Sequence, residues 1–180
     1  MKKSILNSGI LLMTILLFIS CSSDSSSDNN TSPATENNWK LGNYSFSRTS
    51  SVQNTSTYVN GNPFTLVITE SNIRNDNNFK ACKLTFFFNT HQTGTYTIKS
   101  EDALYDNHLL KYLHIECIAV DSAGKTAIYE SVDTSISATV TKVENLFVVD
   151  VPDQVTLTKT YDGGLENAPG TMTFKCQKVR

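Results

Sequence analysis

The run Ala119-Val120-Asp121-Ser122-Ala123-Gly124-Lys125-Thr126 fits the loose spacing of a phosphate-binding loop, in which glycine, lysine and a hydroxyl residue close a turn on an anion. That chemistry needs a helix N-terminus after the turn, aiming backbone N–H groups at the phosphate. Thr126 to Val132 alternates as a strand does, so the run reads as a hairpin turn. Of the three histidines, His91 falls in the turn Asn89 to Gly94 and His114 on the polar side of a strand. Neither has an acid or hydroxyl at a diagnostic spacing. Glu101, Asp102, Asp106 and His108 form the one acidic cluster beside a histidine, and such groups can hold a cation or exchange protons. The spacing is not that of a calcium loop, so solvated loop charges are the expectation and a hydrolase around His108 the last choice. Asn75-Asp76-Asn77-Asn78 reads as a turn rather than a metal site. No catalytic residue, cofactor or metal is assigned.

The N-terminus carries a different chemistry. Met1-Lys2-Lys3 and then a mostly apolar run, Ile5 to Ile19, form the secretory pattern of cations, apolar core and small residue. The run contains Asn7, Ser8, Gly9 and Thr14, and it falls short of the roughly 20 apolar residues that span a bilayer. Residues 1–20 therefore read as a cleaved signal. Phe18-Ile19-Ser20-Cys21 resembles the lipobox of bacterial lipoproteins, with Phe18 where that class usually has Leu. The resemblance implies that the Cys21 thiol receives diacylglycerol, that cleavage falls just before it, and that the new amine is acylated. Thiolate is the nucleophile such a transfer needs, and several acyl chains at about 0.8 kcal/mol per buried CH₂ make a durable anchor.

Residues 22–38 hold no large apolar side chain, so 21–38 is read as a disordered Ser/Asp/Asn-rich tether. Lipobox, tether and β-rich remainder together resemble the small envelope lipoproteins of unknown function found in Bacteroidota. That resemblance implies lipid anchoring, most simply at the outer membrane. Asp24 and Asp28 are a thin version of the acidic surface-export signal, leaving surface or periplasmic display open. Asp121-Ser122-Ala123 resembles the acceptor triplet for O-linked glycans on exported Bacteroidota proteins, which would place a glycan on Ser122.

Without residues 1–20, which carry Lys2 and Lys3 and no acid, 13 basic against 17 acidic side chains leave a formal charge of −4. That balance argues against nucleic acid, which calls for clustered Lys and Arg. Once Cys21 is lipidated, Cys82, Cys117 and Cys176 remain, with no CxxC pair and no zinc-type spacing. In an oxidising compartment any two of them could pair. The alternative is three buried free thiols, each on the apolar side of a strand.

The elements that must position these groups are strands. Period-two alternation recurs from Tyr44 to the end, with Asn60-Gly61 as a hairpin signal and Glu144-Asn145 as another turn. Cys82, Leu84, Phe86 and Phe88 share an inward face. So do Leu113, Ile115, Cys117 and Ala119, with Tyr112, His114 and Glu116 opposite them. Only Ser100 to Leu110 looks able to form a helical turn. About ten short strands in residues 39–180 predict a single all-β domain, an antiparallel sandwich first and a lipocalin-like barrel second. Trp39, Tyr58, Tyr96, Tyr105, Tyr112 and Tyr129 are candidates for a sugar-stacking platform, with core packing as the plainer expectation. The functional expectation is a non-enzymatic binding or adhesion module for a glycan or protein ligand, working through loops 100–110 and 160–170. The alternative is an assembly subunit that pairs through a sheet edge.

Overall fold

The computed structural model describes residues 36–59, 61–71 and 81–180, with the side chains of 57–59 excepted. The signal, Cys21, the tether up to residue 35, Asn60 and the segment Asn75 to Asn78 lie outside the described residues. The strands are β1 (Asn38–Leu41), β2 (Tyr44–Ser47), β3 (Ser50–Val59), β4 (Asn62–Ser71), β5 (Ala81–Asn89) and β6 (Gly94–Ile98). One short helix, α1 (Glu101–Asp106), precedes β7 (Tyr112–Val120), β8 (Thr126–Ser131), β9 (Ser137–Val143), β10 (Leu146–Gly163) and β11 (Thr171–Val179). The all-β expectation holds, with eleven strands among the described residues joined in one continuous sheet.

Strand order runs β2-β1-β11-β10-β9-β6-β7-β5-β4-β3, and β8 bridges β10 to β7. Between β7 and β10 the sheet is therefore one strand wide at one end, where β8 pairs Glu116–Val120 on one side and Leu157–Gly163 on the other. At the other end it is two strands wide, filled by β6 and β9. The fork is stitched by hydroxyls. Ser131 Oγ accepts from the Ile115 N–H (3.0 Å) and donates to Lys99 O (2.7 Å), while Thr134 Oγ1 donates to Ile98 O (3.0 Å). Every pairing between these strands is antiparallel except β6 with β7, and one isolated parallel bridge joins Thr126 to Gly164. Parallel neighbours need a crossover connection, and Lys99 to Lys111, which contains α1, is that crossover.

The sheet folds over on itself so that its halves face each other, which realises the stacked arrangement within a single sheet. Phe86 on β5 meets Phe174 on β11 edge-on at 6.3 Å, and Phe88 meets Phe147 on β10 at 5.5 Å. The Trp39 indole N–H donates to Cys82 Sγ across the same interior at 3.4 Å. Gln53 on β3 ties the layers together, accepting from Phe147 N (2.8 Å) and donating to Phe147 O (2.7 Å). Arg48 Nη1 and Thr69 Oγ1 both donate to Arg180 O. The inward sets expected on β5 and β7 are all buried.

Just ahead of β1, the Glu36 carboxylate pairs with Lys178 at 3.0 Å and Asn37 N donates to Gln177 O. Two strands differ from the sequence reading. The stretches Leu146–Val151 and Val155–Thr158, which look separate around Pro152-Asp153, form one strand with register shifts there. Ser50 to Ser56, polar and without a clear pattern, extends β3 because β4 offers it a template.

Candidate functional site

Alternation on β1, β2 and β11 sends Trp39, Leu41, Phe46, Phe174 and Cys176 into the core. Asn38, Lys40, Ser45, Ser47, Lys175 and Gln177 are left facing outward. Register decides what stands beside what: Lys40 lies directly between Lys175 and Ser45, and Asn38 directly between Gln177 and Ser47. Ser47 Oγ donates to Asn38 Oδ1 at 2.6 Å, fixing one corner. The result is an open groove of about 490 Å³ whose lining includes two lysines and no acid. Lys40 and Lys175 are exposed, and neither has an ion pair or hydrogen bond among the described residues. Two like charges directly opposite on neighbouring strands are destabilising. The groove thus carries two adjacent lysines beside amides and hydroxyls, with Trp39, Phe46 and Cys176 also in its lining.

A second polar cluster lies on the outer face of β5, β7 and β8, beside α1. Ser100 caps α1 by accepting from Ala103 N, and is itself tied to Asp133 Oδ1 through its N–H (3.0 Å) and hydroxyl (2.8 Å). Asn89 Nδ2 donates to the carbonyls of Leu104, Asn107 and Leu110, holding the other end. Leu104 and Tyr105 pack on Phe64 and Phe87, and the Tyr105 hydroxyl donates to the Glu101 carboxylate. Against this cover the polar side of β7 is not solvated: His114 is 5% and Glu116 9% exposed. Glu116 stands directly opposite Thr85 on one side and Glu130 on the other. Burial pushes its carboxyl above the ordinary range, with Lys83 opposing and Glu130 adding to the rise. Burial lowers His114, with Glu130 and then Glu101 opposing, so its ring is neutral at pH 7.

Ser131 Oγ lies 3.0 Å from His114 Nδ1, which invites comparison with a catalytic pair. The hydroxyl proton, however, goes to Lys99 O at 2.7 Å. Nδ1 is satisfied as the protonated nitrogen, shared between Ser131 Oγ and Lys99 O. A histidine that donates to a serine cannot remove its proton. The cluster is a buried joint in the forked sheet, and among the described residues no three His, Cys, Asp or Glu side chains are arranged to hold a metal.

The residues singled out by sequence are dispersed. His108 has no hydrogen bond or ion pair among the described residues, and Glu101, Asp102 and Asp106 are exposed without converging on it. Cys82, Cys117 and Cys176 are buried free thiols, not joined by a disulfide; burial pushes the thiols of Cys117 and Cys176 up. The phosphate-loop spacing is a hairpin: Asp121 Oδ1 accepts from Ala123 N (2.8 Å) and Lys125 N (2.9 Å), and β8 follows instead of a helix. The carboxylate occupies the very amides that would cradle a phosphate. Ser122 is exposed on that turn, beside a depression of about 210 Å³ shared with Leu165 and Glu166. Trp39, Tyr96 and Tyr129 are buried and Tyr105 and Tyr112 pack around α1, so these five form no open aromatic platform. The side chain of Tyr58 lies outside the described residues. Loops 100–110 and 160–170 stand at opposite ends of β8, since Ser131 meets Lys99 while Thr126 meets Gly163. Lys40 was not singled out by sequence, and only the β1–β11 register brings it to Lys175.

The chain matches no protein-family model, no curated protein and no solved structure.

Proposed function

We propose that this chain is a lipid-anchored envelope lipoprotein whose β domain is a non-enzymatic binding module for a glycan or protein ligand. The anchor is Cys21, and the outer membrane is its most economical location. The observation that supports binding is the open groove of about 490 Å³ with its uncompensated Lys40–Lys175 pair. Ligand sites are commonly concave and within about 300–1,000 Å³, and this one is built on strands rather than loops.

Two measurements test the reading. Labelled palmitate should enter the wild-type chain and not Cys21→Ser, which should leave the membrane fraction. Amide chemical shifts of the full mature chain, titrated with a panel of glycans and envelope proteins, should move at residues 38–40, 45–47 and 175–177. Absence of any binder at that face would end the binding reading. An assembly role has one observation in its favour: β3 is an edge strand, and Ser50–Val59 carries neither charge nor proline to discourage pairing. A stable complex whose formation protects β3 amides from exchange would favour that role instead.

A further inference from the structure

We infer that the groove of β1, β2 and β11 is a subsite for an anionic sugar, one bearing a carboxylate, phosphate or sulfate. The inference rests on the binding-module reading and names its ligand class. Lys40 and Lys175 are directly opposed across the β1–β11 ladder, where facing Cβ atoms stand about 5 Å apart. Ammonium groups on long flexible stems at that separation can converge on a single anion. Lys99, Lys125, Lys159, Lys178 and Arg180 each find a carboxylate, while Lys111 donates to Thr93 O and Lys142 lies over the Phe147 ring. Lys40 and Lys175 have no such partner among the described residues, on a chain whose formal charge is −2.

What surrounds the pair bears on the rest of the ligand. Gln177 carries an amide on the same outward face, beside Ser45 and the Ser47–Asn38 hydrogen-bonded pair. Such groups match sugar hydroxyls. Trp39 and Phe46 keep their rings in the core, so an apolar side chain from a peptide would find no exposed ring there.

The test uses the full mature chain and amide chemical shifts, with glucuronate, glucose 6-phosphate, glucose and inorganic phosphate as probes. The charged sugars should move amides at 38–40, 45–47 and 175–177, at least about tenfold more tightly than glucose, and less so as salt rises. Lys40→Arg should retain binding. Lys40→Glu creates an opposite-charge pair with Lys175, so its melting temperature should hold or rise while affinity falls at least about tenfold. Glucose binding as tightly as glucuronate, with Lys40→Glu unaffected, would overturn the anionic inference and leave the binding reading standing. Inorganic phosphate binding as tightly as glucose 6-phosphate would overturn the sugar assignment. If none of the probes moves these amides, the inference is refuted, and the wider ligand screen decides the binding reading separately.

Discussion

Gln53 is the sharpest place to perturb the way the sheet closes. Its carboxamide meets the backbone of Phe147 twice, accepting at 2.8 Å and donating at 2.7 Å, so a side chain substitutes for a neighbouring strand. Each such bond contributes about 0.5–1.5 kcal/mol net. Gln53→Ala should therefore cost about 1–3 kcal/mol, a large share of the roughly 5–15 kcal/mol that holds a domain together. Gln53→Glu separates the two bonds. The carboxylate still accepts from Phe147 N but opposes Phe147 O, so the variant should be destabilised at pH 7. Protonation restores a donor, which means the folded-state pKa of the new carboxyl lies above its unfolded value. Stability relative to wild type should then recover as pH falls through that raised folded value, and the deficit should be full above it. Urea titrations followed by the fluorescence of Trp39, the only tryptophan, read both effects. An alanine variant within about 0.3 kcal/mol of wild type, or a glutamate variant whose deficit ignores pH, would refute this account of the closure.

Other perturbations probe other joints. A Cβ at Gly163 would meet Thr126 O at 2.9 Å and collide with Thr126 Oγ1, so Gly163→Ala should lower stability by about 1–3 kcal/mol in the same titration. Glu144 and Asn145 both sit at positive φ, 52° and 67°, in the β9–β10 hairpin. Replacing them with Asn-Gly should add about 1 kcal/mol and raise the melting temperature by a few degrees, read by calorimetry. Glu116→Gln removes a desolvated carboxylate opposite Glu130 and should stabilise the fold by about 1 kcal/mol at neutral pH. Because the Glu116 folded pKa is raised, that gain should shrink as pH falls through it, which denaturation at pH 7 and pH 4 would reveal.

The alternation on β5 and β7 was legible because each strand carries its own period of two. Cys82, Leu84, Phe86 and Phe88 point inward as their spacing demands, and the Lys99–Lys111 crossover shows its helix-forming run. What lay hidden was register between distant segments. Asn38–Leu41 is too short to announce itself, and it becomes a strand only because β11 lies alongside. The meeting of Glu116 with Glu130, and of His114 with Ser131, depends on how β8 enters the fork. Phe87 looked outward and is buried, because α1 lies over a face that the sequence leaves apparently solvated.

Among the described strands, β1 and β2 join the rest of the sheet only through β11, the last of them in sequence. Chains interrupted between Gly163 and Thr171 would keep every residue of β3 to β10, yet would leave Lys40 without its counterpart. The cationic depression is thus a property of finished molecules alone. Prematurely terminated copies would be born without it.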